Sequence, residues 1–532
     1  MTSTIPINNV GLAVMTTLRN YGIDVIFGIP GTHNLEFYRH LKPLGIRPVT
    51  TRHEQGAGYG SDGWSQLKGL PGVVITTSGP GLLNAMSAAA TSYCESRPMI
   101  ILSPGAPRGS EFSDIGLLHE TKDPTGAVRA LIGRSTRVSN GTEAVELIHE
   151  AFASFAHGRP RPVHIEIPLD LLESASDVPP AVLEARPLGA PQKASDDAVA
   201  AAAEILRNAS NPVILAGGGS LGTGAALLQL AELLQAPVIT TINGKAAIPE
   251  VHPLSLGSEI RLTAAQDLCN ASDALLIIGS KLGESEMWGG KILPQGRCIR
   301  IDIDPVQLHC NLSPGLELLG NSAAVVPQLL TALAGHEPAA TPDLAPLRAE
   351  LQAEARSMAP VLARINEILA GALPPDTVIA GDSSQITYFG TTSFFPMQQP
   401  HQLLYTPAYA TLGYGLPAAI GAKVAAPDRP VVGLIGDGAL MFAVQEFITA
   451  VEQRVDLPII CINNGGYGEI RQNMEDRDLP PVGVNLTQPN WIRLAEGFGL
   501  TAFNVESLDD LADTVTKALA VKGPSLIHVS IQ

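Results

Sequence analysis

The stretch Val431-Val432-Gly433-Leu434-Ile435-Gly436-Asp437-Gly438-Ala439 decides the fold. A β-branched apolar run ends in Gly-Asp-Gly and gives way to a helical pattern, which reads as a strand of a parallel sheet at its carboxyl edge. Open parallel sheets bind ligands outside that edge, and amides exposed where a helix begins suit phosphate. Gly436 and Gly438 let the backbone approach a ligand closely, and Asp437 offers a carboxylate to a divalent cation such as Mg²⁺.

The next strand is expected over 458–462, and it runs into Asn463-Asn464-Gly465-Gly466. Asn464 follows Asp437 by 27 residues, room for one helix and the following strand. The two side chains are therefore expected side by side above neighbouring strand ends. Mg²⁺ takes few protein oxygens together with phosphate oxygens, so an Asp, an Asn and a carbonyl form a sensible partial shell. Taken singly, Gly-Asp-Gly is a turn and Asn-Asn-Gly-Gly a loop; together at successive strand ends they point to a bound diphosphate.

The same alternation of short strand, Gly/Pro/Ser turn and Ala/Leu-rich helix extends outward in both directions. Strands are expected at 25–27, 73–75 and 163–167, then at 212–216, 237–241, 274–278 and 298–303, and again at 378–380, 431–435, 458–462 and 526–530. Proline-rich and strandless stretches, Pro179-Pro180 with 187–191 and then Gly335-His336-Glu337-Pro338, separate the blocks. The fold class is α/β, with three doubly wound parallel-sheet domains over 1–178, 190–335 and 350–532, each of ordinary domain size.

Composition narrows the function. At 45% hydrophobic and 16% charged, the 532-residue chain is an ordinary globular protein. A formal net charge of −17 argues against nucleic acid or an anionic membrane as partner. No apolar run approaches the roughly 18–20 residues that span a bilayer. The start, Met1-Thr2-Ser3-Thr4-Ile5-Pro6, lacks the basic and apolar regions of a signal peptide. The five cysteines form no C-x-x-C pair, so reduced thiols in the cytoplasm are expected.

Gly-Asp-Gly followed some thirty residues later by Asn-Asn resembles the cofactor signature of thiamine-diphosphate enzymes. The resemblance implies that Asp437, Asn464 and the backbone of Gly466 bind Mg²⁺, with Gly436, Gly438 and Ala439 along the diphosphate. Ala439 stands where a Ser is often found. Gly381-Asp382-Ser383-Ser384 resembles a second diphosphate loop, which brings in Ser383.

Arg52-His53-Glu54-Gln55-Gly56-Ala57 resembles the segment of acetolactate-synthase-like enzymes whose glutamate hydrogen-bonds N1′ of the aminopyrimidine. Glu54 then drives the proton exchange that activates the cofactor, a general acid–base role; the plain alternative is a helix-start glutamate favoured by the dipole. In Tyr409-Ala410-Thr411-Leu412-Gly413-Tyr414-Gly415, Leu412 takes the place of the apolar wedge between the cofactor rings, and the Ala410 carbonyl that of the acceptor for the 4′-amino group. The family places its cofactor between two chains, so a homodimer or homotetramer is implied.

The particular reaction is written less plainly. Where acetolactate synthases carry a flavin-associated Arg-Phe-Asp-Asp stretch, this chain has Gly279-Ser280-Lys281-Leu282-Gly283-Glu284, which speaks against FAD. Gly217-Gly218-Gly219 alone does not restore a flavin or nicotinamide site. His33, after Pro30-Gly31-Thr32, and His119, in Leu118-His119-Glu120, suit proton delivery after CO₂ leaves, unless they are structural. Thr77 stands where benzoylformate decarboxylase has an active-site histidine.

Glu469, in Tyr467-Gly468-Glu469-Ile470-Arg471, occupies the position that faces the substrate side chain in related decarboxylases, with Ile470 next to it and Thr32 on the first block. A carboxylate there favours a cationic substrate tail; the plain alternative is an outward ion pair with Arg471. With Gly-Ile-Pro-Gly at 28–31, it gives a resemblance to 5-guanidino-2-oxopentanoate decarboxylase. Three readings follow: decarboxylation of a 2-oxo acid, acetolactate-synthase-like carboligation of pyruvate, and an inactive cofactor-binding subunit, against which intact Glu54, Asp437 and Asn464 argue.

Overall fold

Short apolar runs buried on both faces become parallel strands, and the alternating amphipathic stretches become the helices that cover them. A computed structural model describes residues 5–338 and 340–531. Met1–Thr4, on which the reading of the chain start partly rests, lie outside the described residues. The first sheet holds β1 (Val25–Gly28), β2 (Arg47–Thr50), β3 (Gly72–Ile75), β4 (Met99–Gly105), β5 (Ser135–Arg137) and β6 (Val163–Pro168), in the order β2-β1-β3-β4-β6-β5. β1, β3, β4 and β6 are buried at every position.

The second sheet is β11-β10-β9-β7-β8, built from β7 (Pro212–Ala216), β8 (Val238–Thr240), β9 (Ala274–Ile278), β10 (Arg297–Asp302) and β11 (Leu316–Leu319). The third is β13-β12-β14-β15-β17-β16, from β12 (Val378–Gly381), β13 (Leu403–Leu404), β14 (Val431–Gly436), β15 (Pro458–Asn463), β16 (Thr501–Val505) and β17 (Ser525–Ser530). All ladders within these sheets are parallel. Three doubly wound α/β domains are thus the architecture, as the sequence pattern indicates. Strand order reverses between β1 and β3, between β7 and β9, and between β12 and β14, and crevices at such switch points hold ligands.

By internal contacts the chain forms two compact units. One comprises residues 1–189, 413–428 and 443–455, and the other 190–412, 429–442 and 456–532. In the first unit the helix Glu54–Lys68 is buried along most of its length and packs against the helix Gly415–Ala425. Its glycines are the reason the backbones meet: a methyl group built on Gly63 would stand 2.1 Å from the Ala418 carbonyl oxygen. Each such glycine costs about 1 kcal/mol of helix propensity, which close packing offsets. The Pro-rich stretch after β6 carries only a short 3₁₀ turn, Pro180–Leu183.

None of the five cysteines is in a disulfide. No helix among the described residues is long and apolar enough to cross a membrane.

Candidate active site

At the β12/β14 switch point, in the second unit, the Gly-Asp-Gly and Asn-Asn motifs meet. β14 and β15 pair with Gly436 opposite Ile462, so Asp437 and Asn464 emerge from adjacent strand ends. The Asn464 amide donates to Asp437 Oδ1 at 3.2 Å. Asp437 is buried, and that burial pushes its carboxyl above the usual carboxylate range, a cost a bound cation offsets. The helix that follows is shorter than the sequence suggests. Only Asp437–Leu440 are helical before a turn leads to the helix Glu446–Gln453, so loop amides rather than a helix macrodipole face the ligand space.

The donor set fits Mg²⁺. The Asn464 side-chain oxygen stands 3.0 Å from the Gly466 carbonyl oxygen and 3.2 Å from Asp437 Oδ1, facing acceptors only; the flipped amide would instead donate to both. Ligand oxygens about 2.0–2.1 Å from an octahedral Mg²⁺ lie roughly 3 Å apart, the spacing of this trio. Asp437 Oδ2 and Ser383 Oγ are buried and make no hydrogen bond within 3.5 Å, which leaves both open to a ligand. One carboxylate, one amide and one carbonyl make up the set, and no cluster of three or more His, Cys, Asp or Glu side chains suited to a metal occurs among the described residues.

These residues line a cavity of about 510 Å³ that also takes in Ser384, Ala410, Leu412, Gly438, Ala439 and Ile470. Ala410 is exposed, with a left-handed φ of 52°, and Leu412 is half-buried at the cavity wall. Glu469 faces the same space. Its Oε2 accepts from Gln385 Nε2 at 3.1 Å and from the Tyr388 hydroxyl at 3.2 Å, and its Oε1 accepts from Asn473 Nδ2 at 3.2 Å. Arg471 turns elsewhere, to Asn485 Oδ1 at 3.0 Å and the Asn464 carbonyl at 3.4 Å. Burial and the Glu469 charge push the Tyr388 hydroxyl far up, so it stays a donor. Gln385 and Tyr388 escaped the sequence reading; Gln385 precedes the π-helical turn Ile386–Thr391 and Tyr388 lies within it, a rare conformation frequent at functional sites.

The first unit carries the other candidates. Glu54 opens its helix behind His53, whose Nδ1 accepts from the Gln55 amide at 3.1 Å. The Glu54 side chain is buried, and its Oε2 accepts from Asn84 Nδ2 at 3.0 Å. Asn84 was not legible as a site residue, although it stands six residues after Ser78 in the same turn-and-helix. Burial and the nearby Glu54 charge raise the Tyr38 hydroxyl. A methyl group on Gly81 would stand 2.7 Å from Thr77 Cγ2 and 3.1 Å from Glu54 Oε1, so Thr77 and Gly81 separate Glu54 from the turn holding His33.

His33 and Ser78 follow β1 and β3, the strands of the first switch point. His119 joins them on the irregular segment after β4, and the two imidazoles meet edge to face with centroids 5.2 Å apart. They border a cavity of about 500 Å³. Burial, then the charge of His119, hold the His33 pKa down. Thr32 is exposed and is not among the residues bordering either cavity.

At the middle switch point the crevice is filled by backbone. The Gly217 amide donates to the Ile278 carbonyl at 2.8 Å and the Gly219 amide to the Gly279 carbonyl at 3.0 Å. A methyl group on Gly219 would stand 2.8 Å from Gly279 Cα.

Two of the three switch points thus carry polar side chains around cavities, on a chain with three parallel-sheet domains. Residues 8–124, 199–329 and 384–529 match the N-terminal TPP-binding, central and C-terminal TPP-binding domains of thiamine pyrophosphate enzymes, and the chain belongs to that family. Among individual proteins it is 36% identical to a probable 2-ketoarginine decarboxylase of Pseudomonas aeruginosa, over 98% of this chain and 93% of that one. It is 30% identical to a probable acetolactate synthase large subunit of Methanocaldococcus jannaschii, over 98% and 91% of the two chains. The same identity relates it to the acetolactate synthase isozyme 1 large subunit of Escherichia coli, over 97% and 92%. It is a thiamine-diphosphate-dependent enzyme of the decarboxylase and carboligase group.

Proposed function

We propose that the protein is a Mg²⁺- and thiamine-diphosphate-dependent decarboxylase of a 2-oxo acid with a cationic tail, of which 5-guanidino-2-oxopentanoate (2-ketoarginine) is the leading candidate. The observation that carries this is Glu469, a carboxylate turned into the cavity of Asp437 and Asn464 and held by neutral donors rather than by Arg471. A carboxylate with no cation of its own suits a guanidinium, which pairs with it through two parallel N–H donors.

In this reading Asp437, Asn464 and the Gly466 carbonyl hold Mg²⁺, while Gly436, Gly438, Ala439 and Ser383 line the diphosphate. Ala410 accepts from the cofactor's amino group, and Leu412 sets its bend. Bound there, the cofactor supplies the electron sink that lets the bond to the carboxyl group break. Glu54 exchanges a proton with the cofactor ring, Ile470 borders the substrate, and His33 or His119 returns the proton that replaces CO₂. We assign no flavin; the close Gly219–Gly279 packing in the middle sheet supports that choice. The working enzyme is a homodimer or homotetramer in the cytoplasm, without nucleic acid or membrane partners.

Carboligation is the second reading, supported by the acetolactate synthase relatives. Both are tested by incubating the purified protein with thiamine diphosphate, Mg²⁺ and either 5-guanidino-2-oxopentanoate or pyruvate, followed by product analysis. Decarboxylation yields CO₂ and 4-guanidinobutanal from the first substrate. Acetolactate from pyruvate, with the guanidino acid untouched, replaces the first reading with the second. No turnover of either substrate by protein that binds the cofactor favours the inactive subunit.

A further inference from the structure

The geometry points to Ser78 as a positioning residue that ties His33 and His119 into one proton-sharing pair. The Ser78 hydroxyl oxygen lies 2.6 Å from His33 Nδ1 and 3.4 Å from His119 Nδ1, and Ser78 is buried. A hydroxyl has one proton to donate and lone pairs to accept with. When both rings are neutral, it donates to one Nδ1 and accepts from the other. One ring therefore carries its proton on Nε2 and the other on Nδ1. The rings hold opposite tautomers, and the pair presents one Nε2 acid and one Nε2 base.

The loop geometry enforces the arrangement. Gly79 has a φ of 58°, and a methyl group there would stand 2.4 Å from the His119 carbonyl oxygen. The segment bearing His119 can close onto the turn of Ser78 only because residue 79 is glycine. His119 itself has a left-handed φ of 61°, a conformation few non-glycine residues adopt. Serine at 78 and glycine at 79 thus bring two distant loop histidines onto one hydroxyl.

A proton crosses this bridge without any other reactant. If one ring is an imidazolium, its Nδ1–H passes to Ser78 Oγ as the Oγ–H passes to Nδ1 of the other ring. The charge moves from ring to ring and the serine is unchanged.

The other charged groups around the cavity are committed to their own partners. Arg137 pairs with Glu166 and with Glu111, the latter at 2.9 Å. Glu120 caps the Ile115 and Leu117 amides, and Asp123 the Gly126 amide. Lys122 donates to the Phe112 carbonyl, and Arg129 to that of Ser135. Glu54 is hydrogen-bonded to Asn84 beyond Thr77 and Gly81. The two imidazoles therefore act chiefly on each other, and the His119 charge lowers His33.

The inference rests on the reading of His33 and His119 as proton carriers, and its test needs no turnover. Full-length protein labelled with ¹⁵N-histidine, without substrate, is titrated by NMR, with His33→Gln and His119→Gln spectra assigning the two rings. Wild type and Ser78→Thr are expected to show opposite tautomers at high pH, and Ser78→Ala to lose that opposition. His119→Gln is expected to shift the His33 midpoint upward. Like tautomers in wild type, or opposite tautomers that survive in Ser78→Ala, overturn the inference. Opposite tautomers in a protein that decarboxylates nothing keep the pair and refute the decarboxylase reading. Like tautomers in an active decarboxylase refute the pair alone.

Discussion

The Glu446 carboxylate accepts from the Arg52 amide through both oxygens, at 3.0 and 3.2 Å, two residues before Glu54 in the chain. Glu446 is fully buried, takes a further bond from Thr449 Oγ1 at 2.6 Å, and has its pKa raised by that burial. A buried carboxylate spent on the turn that presents another carboxylate is a positioning device.

Glu446→Ala removes the acceptor and frees the turn. An error of 1 Å in a reacting group costs on the order of 100-fold in rate, and Glu54→Gln should cost roughly 10²–10⁴. Because both act through one group, the double variant should be little worse than Glu54→Gln alone. The check is a cycle of turnover numbers with cofactor affinity measured in parallel. Multiplying losses would mean that Glu446 acts independently of Glu54.

Asp437→Ala should weaken thiamine diphosphate binding in the presence of Mg²⁺ by on the order of 100-fold or more, since even outer partners of metal ligands matter at about that level. Titration calorimetry with and without Mg²⁺ reads it. Affinity that stays normal in the variant removes Asp437 from the metal site.

His164 provides a pH prediction away from the site. It is fully buried in β6, with Nδ1 2.7 Å from Ser135 Oγ and Nε2 2.8 Å from Ser103 Oγ, and burial lowers its pKa to about 3. The unfolded chain takes up this proton below about pH 6.5 while the folded one does not. Stability is therefore lost as pH falls from about 6.5 towards 3, by about 1.4 kcal/mol per unit from this group. His164→Gln removes the titration, so its thermal midpoint should fall less steeply than that of wild type between pH 7 and 5. Equal slopes would contradict the assignment.

Much of this was legible in the sequence because it is local. Asp437 and Asn464 lie at ends of apolar strands whose neighbouring pairing follows from their order, and the 27-residue gap fixes which side chains meet. Strands with weak apolar signals were not legible. β16 is mostly exposed or half-buried, β13 has two residues, and β2 carries Pro48 at an edge. β4 is buried throughout, yet its Ser103-Pro104-Gly105 ending reads as a turn. The supporting side chains were hidden for another reason. Glu446 meets Arg52 across 394 residues, and Gln385 and Tyr388 reach Glu469 across 84 and 81. No local pattern encodes such contacts; the sheet topology creates them.

The most direct test of the central claim compares specificity constants for 5-guanidino-2-oxopentanoate, neutral 2-oxohexanoate and pyruvate in wild type and in Glu469→Gln. A desolvated charge-assisted contact contributes about 1.5–3 kcal/mol, so wild type should prefer the guanidino acid over the neutral one by roughly ten- to hundredfold. Glu469→Gln keeps the shape, removes the charge and should collapse that preference, leaving cofactor affinity and pyruvate turnover nearly unchanged. A wild type that prefers pyruvate, with the same ranking in Glu469→Gln, would contradict the account and leave the carboligase reading in its place.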